Sequence, residues 1–239
     1  MGCNASRSRL PHAAHHTTTM PTARTVPNSI GTRGKSALGV TIRNAPFRLR
    51  SAIVYSTRSA ALDSQLRMNL PVLLDTCVFA SSCVPRKNGA LVVRNCIFFE
   101  ETFGAASGRC QNSVMRVFRT ETATVEHCTV AEVIQYTQRG RVVDSIVGQL
   151  DARGPDVKIE HCDVFVPNGY LNGAKPGKGC FTAAPQFRDP KNFDYRLKKT
   201  SPCRGKASDG GDVGCRYTPE MMEVLKKALE LRKKGIIKF

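Results

Sequence analysis

From residue 72 onward the chain repeats a short alternation of apolar and polar positions: apolar, any residue, polar, a small Cys or Ser, any residue, apolar. The instances are Leu74-Asp75-Thr76-Cys77-Val78-Phe79, Val93-Arg94-Asn95-Cys96-Ile97-Phe98, Val125-Glu126-His127-Cys128-Thr129-Val130, Val143-Asp144-Ser145-Ile146-Val147 and Ile159-Glu160-His161-Cys162-Asp163-Val164. The fourth is one residue shorter before its small position. Measured between small residues the steps are 19, 32, 17 and 17. Such runs are too brief to bury a face alone, and their recurrence predicts an all-β fold in which each coil of a parallel solenoid stacks on the next. The 32-residue step, which includes Glu100 to Cys110, predicts one coil carrying an inserted loop.

Stacking sets equivalent residues of adjacent coils about 4.8 Å apart. Cys77, Cys96, Cys128, Ser145 and Cys162 then form an inward ladder of small side chains, in which free thiols act as core filler. An antiparallel sandwich also has many short strands, but it needs tight hairpin turns. Few are present: Asn88-Gly89 is one and Arg139-Gly140 a weaker second. The solenoid accounts better for the pattern.

The pattern changes twice outside this region. Residues 1–50 are rich in Ser, Thr, Arg, His and Pro and lack a hydrophobic period, which predicts a disordered basic tail. Its Gly2 and Ser6 fit an acylation pattern with Cys3 beside them, its composition also suits an organellar transit peptide, and a misassigned start is the third reading. No apolar run of secretory-signal type follows Met1. Residues 51–215 are assigned to the solenoid and its terminal cap, and residues 216–239 to a helix and tail packing on it. Thr218 is the expected N-cap, Pro219 the first helical residue, and Met221, Leu225, Ala228 and Leu229 share a face. The expected seat of that face is the final coil.

The segment between solenoid and helix carries the most specific motif. Pro185-Gln186-Phe187-Arg188-Asp189-Pro190 leads into Asn192-Phe193-Asp194-Tyr195-Arg196-Leu197, then Ser201-Pro202-Cys203 and Asp209-Gly210-Gly211-Asp212-Val213-Gly214. Residues 184–214 resemble the closing segment of bacterial right-handed parallel β-helix proteins of the pectin-lyase-like superfamily. The resemblance implies a short right-handed parallel β-helix with a C-terminal capping segment, a secreted or cell-surface location, and carbohydrate chemistry. Proteins of that kind include polysaccharide lyases, glycoside hydrolases and esterases. The segment also has a plain physical use, since an open solenoid end exposes strand edges that something must cover.

Composition and charge narrow the partners. The formal charge of +17 invites a nucleic-acid reading. Residues 1 to 62, however, hold nine basic residues and no acidic one, so about half of the excess lies in the tail. A nucleic-acid partner is therefore disfavoured against a polysaccharide or cell-surface glycan. No run approaches the roughly eighteen apolar residues of a membrane-spanning helix. The ten cysteines contain no Cys-x-x-Cys pair, so a zinc knuckle has little support.

Three sets of residues carry candidate chemistry. Glu126 and Glu160 occupy equivalent outward positions two coils apart, roughly 10 Å, near the upper limit for an inverting carboxylate pair. His127, Asp144 and His161 form a column at the bend, read either as a hydrogen-bonded ladder or as metal ligands. Asp189, Asp194, Asp209 and Asp212 are turn formers or calcium ligands. With five or six coils at most between residues 72 and 200, a long catalytic groove has little room. The favoured function is a non-enzymatic module, structural or glycan-binding; the alternative is a polysaccharide-degrading enzyme or a truncated remnant of one.

Overall fold

The structure is a computed structural model that describes residues 29–32, 47–56, 72–80, 90–99 and 103–237. It is mostly β and forms a parallel solenoid of about five turns, with one α-helix. The early part of the tail, residues 1–28, lies outside the described residues, and strands Ser29–Thr32 and Phe47–Arg50 fall within the stretch that composition assigns to the tail.

Each coil contributes to as many as three faces. On the first, Phe47–Arg50, Val72–Asp75, Ala90–Arg94, the later parts of Phe103–Gln111 and Val114–Glu126, then Gly140–Val143 and Val157–Glu160 pair in sequence, all parallel. On the second, Ile53–Ser56, Val78–Phe79, Ile97–Phe98, residue Val114 and the starts of Thr129–Tyr136 and Ile146–Ala152 stack in the same way, ending at Asp163–Val164. The third is built from the later residues of the long strands, with Phe118, Ile134, Leu150 and Tyr170 in register.

The corner between the first two faces explains the repeat. Ser51, Thr76, Asn95, Asn112, His127, Asp144 and His161 all adopt left-handed backbone, with φ between 46° and 55°. Asn, Asp and His tolerate that region better than most residues with a Cβ. The next residue at each corner is Ala52, Cys77, Cys96, Ser113, Cys128, Ser145 or Cys162, and none is more than 1 % exposed. A sharp corner leaves room for only a small side chain inside it. Two adjacent constraints, left-handed backbone and then a small inward group, therefore write the polar-small dipeptide into every coil.

Two expectations are corrected here. The 32-residue step is two coils, not one with an inserted loop: Asn112-Ser113 forms a corner, and Phe103–Gln111 is a strand. The instance is Cys110-Gln111-Asn112-Ser113-Val114-Met115, in which a buried thiol replaces the leading aliphatic residue and hides the pattern. The fourth instance is likewise full length, with Val142 leading and Val143 in register with Glu126 and Glu160.

The C-terminal segment also does more than cover the last coil. On the second face an outward column runs Ile53, Val78, Ile97, Val114, Thr129, Ile146, Asp163, and every member is buried. The segment covers it by returning along the stack. Ala183 N donates to Asp163 Oδ1 (2.9 Å) and Cys203 Sγ to Asp163 Oδ2 (3.1 Å) on the last coil. One coil back, Ser208 donates through both N and Oγ to Asp144 (2.6 Å each). Further back, Cys215 N donates to Thr129 Oγ1 (3.0 Å), and Arg216 N donates to Asn112 Oδ1 (2.7 Å). The two polar members of the column, Thr129 and Asp163, thus set the register of the segment along an otherwise aliphatic stripe.

The helix, Pro219–Lys233, ends this return path. Thr218 caps it by accepting from Met221 N (3.2 Å). Met221, Val224, Leu225 and Ala228 are buried against Ile53, Val78, Ile97 and Phe99, with Leu229 partly buried. Its seat is therefore on the early coils rather than the final one. The reason is the strap's length: residues 203 to 217 traverse the coils between, and the uncovered aliphatic column continues beyond them.

Candidate functional site

The bend column contains one asparagine ladder and one histidine-carboxylate contact. Asn112 Nδ2 donates to Asn95 Oδ1 (2.8 Å), and Asn95 Nδ2 reaches Asp75 Oδ1 (3.3 Å). At the next corners, His127 Nε2 stands 3.7 Å from Asp144 Oδ2, longer than a direct hydrogen bond, and His127 Nδ1 is buried without a hydrogen-bond partner. His161 occupies the following corner, where its backbone N donates to Lys178 O (2.8 Å) and its ring lies against Gly179. Gly179 is held at φ +69°, and a Cβ there would fall 2.5 Å from His161 Nδ1, so the close approach requires glycine.

The structure thus brings His127 and Asp144 together and gives His161 a separate neighbour. Ser208 completes a Ser-Asp-His trio in which the hydroxyl hydrogen-bonds the carboxylate at 2.6 Å. A nucleophilic serine needs its proton directed at the imidazole. This one has it directed at Asp144, as a strap anchor. Among the described residues, no three His, Cys, Asp or Glu side chains gather as a metal ion would require.

Glu126 and Glu160 lie on the first face, on the two strands that flank Val143. Each is neutralised across its coil boundary. Arg109 pairs with Glu126, and Arg141 Nη2 donates to Glu160 Oε2 at 2.8 Å. The Arg141 hydrogen bond and charge hold the Glu160 carboxyl below the usual carboxylate range. A general acid needs the opposite shift, since it must keep its proton near neutral pH.

The four aspartates of the cap are spent in the same way. Asp189 accepts from Asn192 Nδ2 (2.7 Å), and Asp194 takes a two-bond fork from Arg196 (2.7 Å each). Asp209 takes a fork from Arg216 (2.7 Å each) and also the Gly211 N–H (3.0 Å), contacts that hold it well below its ordinary pKa. Asp212 accepts from Gly205 N (3.2 Å) and pairs with Arg204 (3.2 Å). These are turn and capping contacts. Calcium binding would need several carboxylates turned toward one point.

Several polar groups had no signal in the sequence. Asp75 is 2 % exposed. Burial works against its charge, but the hydrogen bond (2.8 Å) and charge of Arg94 hold its pKa low. On the third face, Asp151 accepts from Gln135 (2.8 Å), Asn172 (2.8 Å) and Arg153 (3.0 Å), partners 16 to 21 residues away or next-but-one. Both are outward carboxylates on strands, made legible only by knowing which coil lies beside them.

A set of cations stands apart from these pairs. Lys175, Lys178, Arg188, Lys191, Lys198, Lys199 and Lys206 are exposed on the segment that follows the last coil. None forms an ion pair with a described residue, in contrast to the paired arginines of the coils. Lys178 and Cys203, which precedes Lys206 by three residues, are tied to the last coil through His161 and Asp163.

Fold and site together define a parallel β-solenoid with a C-terminal strap whose acidic residues are largely neutralised. In comparisons with known proteins, no family model matches the chain and no curated protein matches it. No helix of the described residues is long and apolar enough to cross a membrane.

Proposed function

We propose that this chain is a non-enzymatic right-handed β-helix module of pectin-lyase-like type, working at a cell surface or outside the cell, that binds acidic glycan through the basic segment at its C-terminal end. The observation that carries this reading is the contrast in charge pairing. The carboxylates best placed for hydrolysis, Glu126 and Glu160, are each tied to an arginine, whereas Lys175, Lys178, Lys198, Lys199 and Lys206 are exposed and form no ion pair with a described residue. Several exposed lysines favour an extended polyanion over a small ligand, because strongly hydrated ammonium groups attract charge without fixing geometry. The likeness of residues 184–214 to the closing segment of bacterial β-helix proteins supports the glycan class.

Titration calorimetry with polygalacturonate, alginate and neutral glucans tests the proposal, together with assays for unsaturated products and reducing ends. The expected result is binding of the polyuronates alone, weakened by salt over the range that shortens the screening length, with no turnover. Lys198→Gln with Lys199→Gln should weaken that binding about tenfold, or about 1.4 kcal/mol. Robust turnover would restore the degrading-enzyme reading. Equal binding of neutral glucans, or none of any glycan, would overturn the proposal.

A further inference from the structure

The inward ladder ends in two cysteines that differ from the rest. Asp163 forms a parallel bridge with Phe181, so Cys162 and Cys180 are direct neighbours on adjacent segments, and Phe181 N donates to Cys162 O at 3.0 Å. Neighbouring Cα atoms in a parallel pair lie about 4.8 Å apart, inside the usual disulfide range of about 4.4–6.8 Å. Cys162 Sγ donates to Glu160 O at 3.1 Å. Cys162 is fully buried, whereas Cys180 is partly exposed.

The other ladder thiols lack that access. Cys77 and Cys96 are neighbours on adjacent coils but at most 1 % exposed, and Cys110 and Cys128, with Sγ atoms 3.9 Å apart, are at most 2 % exposed. Among the described residues, Cys162–Cys180 is thus the ladder pair with a member that is only partly buried. We infer that Cys180 and Cys162 form a hydroperoxide-reactive dithiol, with Cys180 the attacking sulfur and Cys162 the resolving one, whose oxidation staples the end segment to the last coil.

The electrostatics agree with that division of roles. The adjacent Cys162 thiol brings the Cys180 thiol down to about 6, while burial pushes Cys162 well up. Reactive thiols that serve redox chemistry combine a stabilised thiolate, exposure and a nearby resolving cysteine. The Cys180 thiolate attacks one peroxide oxygen, the O–O bond breaks, and hydroxide leaves as the sulfenic acid forms. The Cys162 sulfur then attacks the Cys180 sulfur, the S–O bond breaks, and the departing hydroxide takes the Cys162 proton as water. The sulfurs lose two electrons together, and the peroxide is reduced to two waters once the first hydroxide takes up the proton that Cys180 released on ionising. The product links residues 162 and 180 covalently, closing the end of the solenoid over the turn at 171–179.

The test is peptide mass spectrometry of the full chain, treated folded with a small excess of hydrogen peroxide and then alkylated. The expected product is a linked Cys162–Cys180 peptide, two hydrogens lighter than its parts, formed at least tenfold faster than any link between other cysteines. In Cys162→Ser, Cys180 should accumulate as a sulfenic acid trapped by dimedone; in Cys180→Ser, neither link nor adduct should form at residue 162. Circular dichroism confirms that each variant keeps its β content. Linkage spread evenly over the ladder cysteines would overturn the inference, as would a wild-type Cys180 that stays unmodified or stops at the sulfinic acid without a link.

Discussion

Phe118→Ala should cost this protein about 3–5 kcal/mol of stability, measured as a fall in the denaturant midpoint without a change in slope. Phe118 is 1 % exposed and points into the stack on the third face, in register with Ile134 on the following coil. Its ring belongs to the same inner cluster as Met115, Ile134, Leu150 and Tyr136. Removing it opens a cavity that adjacent coils cannot close, because their spacing is fixed by the ladder of main-chain hydrogen bonds. For a chain of this size the melting temperature should drop by about 10 °C or more. The outward Val92, 42 % exposed, supplies the control: Val92→Ala should stay within about 0.5 kcal/mol. Equal losses at the two sites would mean that Phe118 is not in the core.

The second large effect comes from a carboxyl group and has the opposite sign. Asp163 is fully buried between the last coil and the strap, where it accepts from Ala183 N and Cys203 Sγ. Burial raises its pKa from the ordinary 3.8 to about 6. The folded protein therefore holds this proton between pH 4 and 6, where the unfolded chain has released it. Stability from this group is full below about pH 4 and is lost as pH rises through about 6, by at most about 3 kcal/mol. Asp163→Asn keeps an acceptor for Ala183 N, presents its amide N–H to the Cys203 sulfur, and removes the charge. The variant should match the wild type near pH 4 and exceed it by about 1–3 kcal/mol at pH 7. Chemical denaturation at several pH values checks this, and a difference between the two proteins that does not vary with pH would contradict it.

Much of the architecture was legible because the corner imposes two demands on neighbouring residues. Left-handed backbone favours Asn, Asp or His, with Ser51 and Thr76 as the exceptions, and the crowded interior selects Cys, Ser or Ala. Where both were met by the usual residue types the coil could be read directly, as at His127-Cys128. The Asn112-Ser113 corner escaped because Cys110 stood in the aliphatic place, and the Ser51-Ala52 corner because its small residue is alanine. Free cysteine is hydrophobic enough for either role, which makes it a poor marker of phase.

The site was less legible for a different reason. Helix caps are local, so Thr218 and Pro219 declared themselves, but the seat of the helix depends on an outward column assembled from residues at seven successive corners. Thr129 and Asp163 look like surface residues until the strap is laid over them. Glu126 and Glu160 stand in register on either side of Val143, while their arginines, 17 and 19 residues distant, belong to the neighbouring coils. Charge pairing between coils requires the exact stacking offset, and that offset varies from 15 to 25 residues along the bend column.

The stacking itself is open to direct measurement through couplings across main-chain hydrogen bonds. In deuterated protein, nuclear magnetic resonance should connect the nitrogen of Val114 with the carbonyl carbon of Cys96, Thr129 with Ser113, Ile146 with Cys128, and Asp163 with Ser145. One-way steps of 16 to 18 residues are the signature of parallel coils, whereas antiparallel strands exchange bonds in reciprocal pairs. Observing these four couplings would establish the corner ladder on which the account rests; reciprocal couplings between consecutive strands would contradict it.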